Sequence, residues 1–299
     1  FVAGDVGPTN KTCSMSPDVS NPAAREITYD ELFTDVCEQV DGLIEGGADV
    51  ILIETIFDTL NCKAMIDAAL TMMKKHGVEL PVMISLTVSD LAGRTLSGQT
   101  VDAFLASLSP YPIFSVGMNC AFGAPQMKPF IEHMAQVAPY YISAHPNAGL
   151  PNEMGEYDET AESMAPQIAE FIDEGIVNII GGCCGTSPEF IAHYARIAEG
   201  KKPHKVVEKL KYMWLSGLDL LQVDDSVHLP VDASRFVNVG ERCNVAGSRK
   251  FLRLINEKNY EEAIGIARKQ VADGAAVVDV NMDDGLLDAK AEMVNFLNM

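Results

Sequence analysis

An alternation of strands and helices in the first two-thirds of the chain restricts its fold more than any other feature of the sequence. Short apolar runs that predict strands are separated by amphipathic stretches that predict helices. We predict strands at residues 1–6, 50–54, 82–87, 113–119, 140–145 and 177–180, and helices at residues 29–46, 62–76, 100–108, 126–137, 159–174 and 188–198. Strands that alternate with helices of this length indicate parallel βαβ units and an α/β fold.

Residues with polar side chains, or residues such as glycine and proline that favour turns, lie at the end of every one of these strands. They are Gly7–Asn10, Glu54–Thr55, Ser85, Asn119–Cys120, His145–Gly149 and Gly181–Cys184. Such residues at the carboxyl end of each strand are typical of a (β/α)8 barrel of the TIM type. No G-x-G-x-x-G motif opens the first helix, so a dinucleotide-binding fold has little support. Six units are present where eight are needed and no Met precedes Phe1, so we predict a barrel that lacks its first two strands.

The composition narrows the range of partners. The chain has 299 residues, 47% apolar and 21% charged, which suits a globular protein of about two domains. We find no apolar run of about 18 residues and no signal peptide, so we expect no membrane span and a cytoplasmic location. The net charge of −20, with no basic stripe, opposes binding to nucleic acid or to anionic lipid. Small-molecule substrates are therefore expected.

A change of pattern after Ala198 predicts the domain organisation. Residues 199–234 contain basic residues, a proline and turn formers, but no helix of matching length. A second series then begins, with strands at 235–244 and 276–281 and helices at 250–256 and 260–273. We predict a first barrel at residues 1–205, a connection that packs on it at residues 206–234, and the first βα units of a second TIM-type barrel at residues 235–299.

The seven cysteines divide into two groups. An odd number of cysteines scattered over a long chain argues against a disulfide framework. Cys13, Cys37 and Cys62 fit the role of buried or half-buried small hydrophobes. In contrast, Cys183 and Cys184 lie between glycines, after an apolar strand predicted to be buried on both faces and before the helix that Pro188 begins.

Adjacent cysteines bond poorly to each other but can present two thiolates to one soft metal ion. Cys120 also ends a strand of the same barrel, so three thiolates could converge at its mouth. Three protein ligands with one open position are typical of catalytic zinc, and a substrate thiol bound there would lose its proton. We therefore infer alkylation of a zinc-bound substrate thiolate, with no protein nucleophile. Buried packing thiols and a redox pair remain alternatives.

Three motifs of the first barrel carry a resemblance to a known family. Gly117–Cys120, His145–Gly149 and Gly181–Pro188 resemble the zinc-dependent homocysteine S-methyltransferase barrel. The resemblance implies that the metal ligands are Cys120, Cys183 and Cys184. It also implies that Glu54 contacts the amino group of homocysteine and that Asn119 belongs to the homocysteine site.

Two motifs of the second series resemble the start of a pterin-binding barrel. They are Phe236–Phe251 and Asp279–Gly285. The resemblance places the folate-binding residues at Glu241, Asn244, Gly247, Ser248, Arg249, Asp279 and Asn281. Glycine would let the backbone approach a flat ring, and Arg249 could hold an anion. We interpret Cys243 as a loop residue and not as a fourth zinc ligand.

A homocysteine barrel followed by a folate barrel is the order found in the cobalamin-dependent methionine synthase family. The resemblance implies that homocysteine becomes methionine with methylcobalamin as methyl donor, and that 5-methyltetrahydrofolate then remethylates the cobalamin. The cobalamin-binding domain would be another part of the same full-length chain, so we expect this chain alone to be inactive in the full reaction. The alternatives are a cobalamin-independent homocysteine S-methyltransferase that uses betaine or S-methylmethionine, and a non-catalytic zinc- or thiol-binding protein.

Overall fold

A computed structural model of the chain describes residues 1–208, 213–223 and 236–299. The chain divides into two compact units, the first formed by Phe1–Cys13 and Ile27–Gln222, the second by Ser14–Glu26 and Val223–Met299. Parts of the predicted connection, residues 209–212 and 224–234, lie outside the described residues, as does Arg235 of the next predicted strand. The described helices include none that is long and apolar enough to cross a membrane.

The first unit is built on six parallel strands in sequence order, β1 to β6. The strands are Ala3–Val6, Val50–Ile56, Val82–Leu86, Ser115–Cys120, Tyr141–Pro146 and Ile179–Ile180, and the helices α1 to α6 are Tyr29–Glu45, Thr59–His76, Val101–Leu108, Ala124–Val137, Ala161–Asp173 and Pro188–Ala198. Each strand pairs in parallel with the next one along the chain. This α/β arrangement is that of a TIM-type barrel, as the alternation predicts.

Local signals explain where the helices begin. Thr28 and Glu31 form a reciprocal capping box at the start of α1. The Asp58 side chain accepts hydrogen bonds from two backbone amides at the start of α2. Pro188 is the first residue of α6, where its missing N–H costs no helical hydrogen bond. The loops that lead from each strand to its helix therefore end at a defined residue, and they lie at the carboxyl end of the sheet.

Strand β6 differs from its prediction. The sequence predicts a strand at residues 177–180 that is buried on both faces, but β6 contains only Ile179 and Ile180, and both are half-buried. The reason is that β6 is an edge strand of the six-stranded sheet and pairs on one side only, with β5. Val177 and Gly181, on either side of it, are buried.

The described part of the connection does pack on the first unit. It forms a two-stranded sheet of β7, Met213–Ser216, and β8, Leu220–Val223. The Ser216 hydroxyl donates to the carbonyl of Ala103 in α3 at 2.7 Å. Arg94 and Asp219 form an ion pair at 2.7 Å. Both contacts lie within the first compact unit, which extends to Gln222.

In the residues that the structure describes, the second unit contains two parallel strands and three helices. Strands β9 and β10 are Val239–Asn244 and Val277–Asn281, and helices α7 to α9 are Arg249–Asn256, Tyr260–Ala272 and Ala289–Asn298. Phe251 and Phe296 meet edge to face in its apolar core, with ring centroids 5.4 Å apart. Cys243 is not a loop residue, since it lies in β9 opposite Val280 and is fully buried in this core.

Candidate metal centre

Three cysteine thiols meet at the carboxyl ends of the strands of the first unit. Cys120 is the last residue of β4, and Cys183 and Cys184 lie in the turn between β6 and α6. The Sγ atom of Cys184 lies 3.6 Å from that of Cys120 and 3.9 Å from that of Cys183. All three sulfurs lie within 4.8 Å of one another, and none is in a disulfide. The structure thus brings together the three residues that the sequence predicts as metal ligands.

The spacing of the sulfurs fits a tetrahedral zinc ion. With zinc–sulfur bonds of about 2.3 Å, two sulfurs of a tetrahedron lie about 3.8 Å apart. The two separations of 3.6 and 3.9 Å bracket this value. All-thiolate donors also favour zinc over the hard cations calcium and magnesium. The residues present therefore fit a zinc site with three protein ligands.

The turn that carries two of the thiols is fixed to the end of β5. The backbone N–H of Cys183 donates to the carbonyl of Pro146 at 2.9 Å, and that of Cys184 donates to Oδ1 of Asn147 at 3.1 Å. The N–H of Ala148 donates in turn to the carbonyl of Cys184 at 2.9 Å. The motif at residues 145–149 therefore holds the two cysteines in place.

Two glycines let this turn pack closely. A Cβ atom at Gly181 would lie 2.5 Å from the ring of His145. Gly185 has φ of +80°, in the left-handed region, and a Cβ there would lie 2.5 Å from Tyr157. The glycines beside the cysteines are thus required by close packing and by backbone conformation.

Two of the three thiols have pKa values shifted in opposite directions. A hydrogen bond from Cys120, together with one from the Asn119 amide, lowers the pKa of Cys183. The same hydrogen bond to Cys183, together with burial, raises the pKa of Cys120. A divalent cation bound at the cluster would offset the cost of ionising Cys120.

Two carboxylates lie near the thiols. Burial, then the charges of Asp5 and Cys183, raise the pKa of Glu54 to about 7. Burial and then Cys183 also raise the pKa of Asp5. Asp5 pairs with Leu52, two residues before Glu54, so both acids lie on one face of the sheet. This face therefore offers negative charge to a cationic group.

Three further side chains of this region were not singled out by the sequence analysis as site residues. Asp5 comes just before the polar stretch that follows β1, so the strand-end rule could have identified it. Burial lowers the pKa of His145 to about 4, so its imidazole is neutral at pH 7. Desolvation, and next a hydrogen bond with Cys184, raise the pKa of Tyr157. Nothing in the local pattern around Tyr157 indicates this contact.

Asn119, a predicted homocysteine-binding residue, is fully buried. Its side chain bonds to Thr55 in β2, to Ser85 in β3 and to Cys183. The structure therefore places it beside the cluster of three thiols, with its side chain buried in the protein.

In the second unit, four of the predicted folate residues meet at the carboxyl ends of β9 and β10. Asn244 pairs in register with Asn281, and their side-chain amides are 3.4 Å apart. Oδ1 of Asn244 also accepts hydrogen bonds from the backbone of Ala246 and of Gly247, at 2.9 and 3.0 Å. Ser248 caps α7 by accepting from the N–H of Phe251. This turn presents backbone and side-chain polar groups at one end of the two strands.

The remaining three predicted folate residues are charged and exposed. Glu241 lies in β9 next to a shift in the register of β9 and β10. Its carboxylate forms an ion pair with Arg242 at 3.3 Å. Asp279 is an exposed residue of β10. Arg249 is the first residue of α7, and no ion pair to it is found among the described residues.

Taken together, these observations define a TIM-type α/β protein with a three-thiolate centre at the carboxyl ends of its strands. A model of the homocysteine S-methyltransferase family matches residues 1–198, more than half of the chain. The chain belongs to the homocysteine S-methyltransferase family. A model of pterin-binding enzymes matches residues 240–299, after the part of the chain that the first model matches.

Two solved structures of the homocysteine methyltransferase MmuM from Escherichia coli were also matched. The apo form is 21% identical with a TM-score of 0.48, and the match covers 66% of this chain and 62% of that one. The metallated form is 20% identical with a TM-score of 0.48, covering 65% of this chain and 60% of that one. This chain thus spans less than two-thirds of the length of MmuM, and the family assignment rests on the family model.

Proposed function

We propose that this chain supplies the homocysteine and folate sites of a methyltransferase that makes methionine from homocysteine. The observation that carries the proposal is the cluster of Cys120, Cys183 and Cys184, whose sulfurs lie within 4.8 Å of one another in the part of the chain that matches the family. These three residues would hold a zinc ion. When bound, zinc would lower the pKa of the homocysteine thiol and keep its sulfur as a nucleophilic thiolate.

Residues of the chain would orient the substrate around that sulfur. Glu54, with Asp5 beside it, offers a carboxylate for the ammonium group of homocysteine. The Glu54 carboxylate is also close enough to Cys183 to interact with it electrostatically. Binding of a cation there favours the ionised form of Glu54 and offsets the burial that raises its pKa. His145, neutral at pH 7, adds no positive charge that would compete with the ammonium group.

Methyl transfer then needs a donor within reach of the thiolate. The sulfur forms a bond to the methyl carbon, and the bond between that carbon and its carrier breaks with both electrons remaining on the carrier. No side chain of this protein serves as nucleophile. We propose that the carrier is cobalamin, held by another domain of the full-length protein, and that 5-methyltetrahydrofolate restores its methyl group.

The pterin-binding domain supports folate as the source of the methyl group. A Cβ atom at Gly247 would come no closer than 3.5 Å to another group, an ordinary contact, so the fold itself does not require glycine there. Close approach of a flat ligand to the backbone would explain why a glycine stands at position 247. A homocysteine methyltransferase that uses betaine or S-methylmethionine has no need of this domain. Seven free cysteines fit a reducing compartment, and we place the protein in the cytoplasm.

Loss of the cation at the first position of α7 should weaken folate binding without preventing folding. We expect Arg249→Ala to weaken binding of 5-methyltetrahydrofolate about 10-fold or more, because a charge-assisted hydrogen bond contributes about 1.5–3 kcal/mol. Arg253→Ala, on the same helix and about one turn further from its start, is the matched control and should bind as the wild type does. Isothermal titration calorimetry measures both. Equal weakening in both variants, or no binding by the wild-type chain, would contradict the folate assignment.

A further inference from the structure

Asn119 uses the whole hydrogen-bonding capacity of its side chain inside the protein. Its Oδ1 accepts from the backbone N–H of Thr55 at 3.0 Å and from the hydroxyl of Ser85 at 2.8 Å. Its Nδ2 donates to Oγ1 of Thr55 at 2.7 Å and to Sγ of Cys183 at 3.7 Å. An amide offers two donors and two acceptor positions, so none is left for a substrate.

The orientation of this amide follows from its partners. A backbone N–H can only donate, so the Asn119 atom that faces the N–H of Thr55 must be the oxygen. The nitrogen then necessarily faces the sulfur of Cys183. The contact is therefore an N–H donor directed at the sulfur of Cys183, which restricts the position of that sulfur.

The same side chain holds an unusual backbone segment of β2. Thr55 has φ of +57°, a left-handed conformation that is rare for a β-branched residue. The pairing of β2 with β3 shifts register between Ile53 and Ile56, around this residue. Glu54, the proposed ligand of the substrate ammonium, is the residue immediately before Thr55. The strain of such a residue costs on the order of 1 kcal/mol or more, and it persists only where the surroundings fix it.

We infer that Asn119 is a positioning residue that ties the Cys183 thiolate to the Glu54–Thr55 segment. In this role it sets the distance between the group that receives the metal and the group that receives the substrate ammonium. The inference rests on the proposed function. It gives Asn119 a positioning role in place of the direct contact with homocysteine that the resemblance implies. Cys120, the next residue in the chain, also has a positive φ of +64°, so the placement of a second ligand depends on the same strand end.

Replacement of the amide by an acid tests this role. Asn119→Asp keeps the size and the acceptor oxygens but removes the donor to Cys183 at neutral pH. We expect zinc affinity, measured by competition with a chromogenic chelator, to fall about 10- to 100-fold, as is usual when a group that orients a metal ligand is lost. The sulfur-to-metal charge-transfer bands of the cobalt(II)-loaded protein should shift as well, which a general loss of stability would not cause.

Ser85→Ala is the matched control, because it removes a hydrogen bond on the oxygen side of the same amide, away from Cys183. We expect its zinc affinity and cobalt spectrum to match those of the wild type. Asn119→Ala, which also removes the donor but adds neither a charge nor a hydroxyl group, separates the two effects and replaces Asn119→Asp if the latter does not fold. It too should bind zinc more weakly than Ser85→Ala does.

The outcomes are distinguishable. Unchanged zinc affinity and spectra in the Asn119 variants, or an equal loss in Ser85→Ala, would overturn the positioning role and leave the proposed function intact. If the wild-type protein took up neither zinc nor cobalt(II), the proposed function and this inference would both be rejected.

Discussion

Replacement of Cys184 by alanine is expected to abolish stoichiometric zinc binding. Zinc sites with four protein ligands bind with about 10–16 kcal/mol, so one ligand contributes about 2.5–4 kcal/mol. Loss of one of three thiolates should therefore weaken binding about 100- to 1,000-fold. Metal analysis of the purified variant and competition with a chelator measure the effect. The methyltransferase activity that we propose should disappear with the metal.

Cys37→Ala is the matched control for this experiment. Cys37 is a half-buried cysteine of α1, outside the cluster of three thiols, and burial raises its pKa, which disfavours metal binding. This variant should retain one zinc per chain with wild-type affinity. Equal zinc content in the two variants would show that the metal is not held by the cluster of Cys120, Cys183 and Cys184.

Replacement of Glu54 by glutamine should weaken capture of homocysteine. The change keeps the shape of the side chain but removes the charge that we propose faces the substrate ammonium. Truncating one partner of a buried charge pair costs about 2–5 kcal/mol, so we expect a loss in affinity of about 30-fold or more. Glu79→Gln is the control, because Glu79 is exposed in the connection that precedes β3, at the opposite end of the strands. It should not change affinity, and calorimetry with homocysteine compares the two.

The Glu54→Gln variant should also be more stable than the wild type above pH 7. Because the pKa of Glu54 is about 7 in the folded protein against 4.5 ordinarily, the folded protein holds this proton more tightly. The unfolding free energy of the wild type should therefore fall as pH rises from about 4.5 to about 7, and Glu54→Gln should remove that part of the slope. After allowance for the partial exposure of Glu54, we expect a gain on the order of 1 kcal/mol at pH 8. Urea unfolding at pH 5 and pH 8 tests this, and a variant no more stable than the wild type at pH 8 would refute it.

The fold of the first unit follows closely from sequence because its signals are local. The alternation of apolar runs with amphipathic stretches predicts six strands and six helices, and six of each are found in the described residues 1–208. The start of α6 at Pro188 is set by one residue with a fixed φ and no N–H. The meeting of Cys120 with Cys183 and Cys184 follows from the rule that parallel strands end on one side.

Features that depend on distant residues could not be predicted in this way. The bonds of Asn119 to Thr55 and Ser85 depend on the register of three strands and on a left-handed residue in one of them. The burial of Cys243 depends on its pairing with Val280, whereas the polar residues beside it favour a loop. In each case a contact between separate elements outweighs the local pattern.

The compact unit to which residues 14–26 belong also differs from the predicted domain. The predicted boundaries place them in the first domain, but by their contacts they belong to the second compact unit. The Arg25 guanidinium donates to the carbonyl of Asn298, 273 residues away along the chain. A boundary drawn from composition along the chain cannot include a segment that is contiguous in space but not in sequence.

X-ray absorption at the zinc edge, with and without homocysteine, tests the central claim most directly. We predict an average of three sulfurs and one lighter atom around zinc in the protein alone, with zinc–sulfur distances of about 2.3 Å. Addition of homocysteine should raise the sulfur number to four. Four sulfurs before homocysteine is added, or a sulfur number that homocysteine does not change, would contradict activation of the substrate thiol at this site.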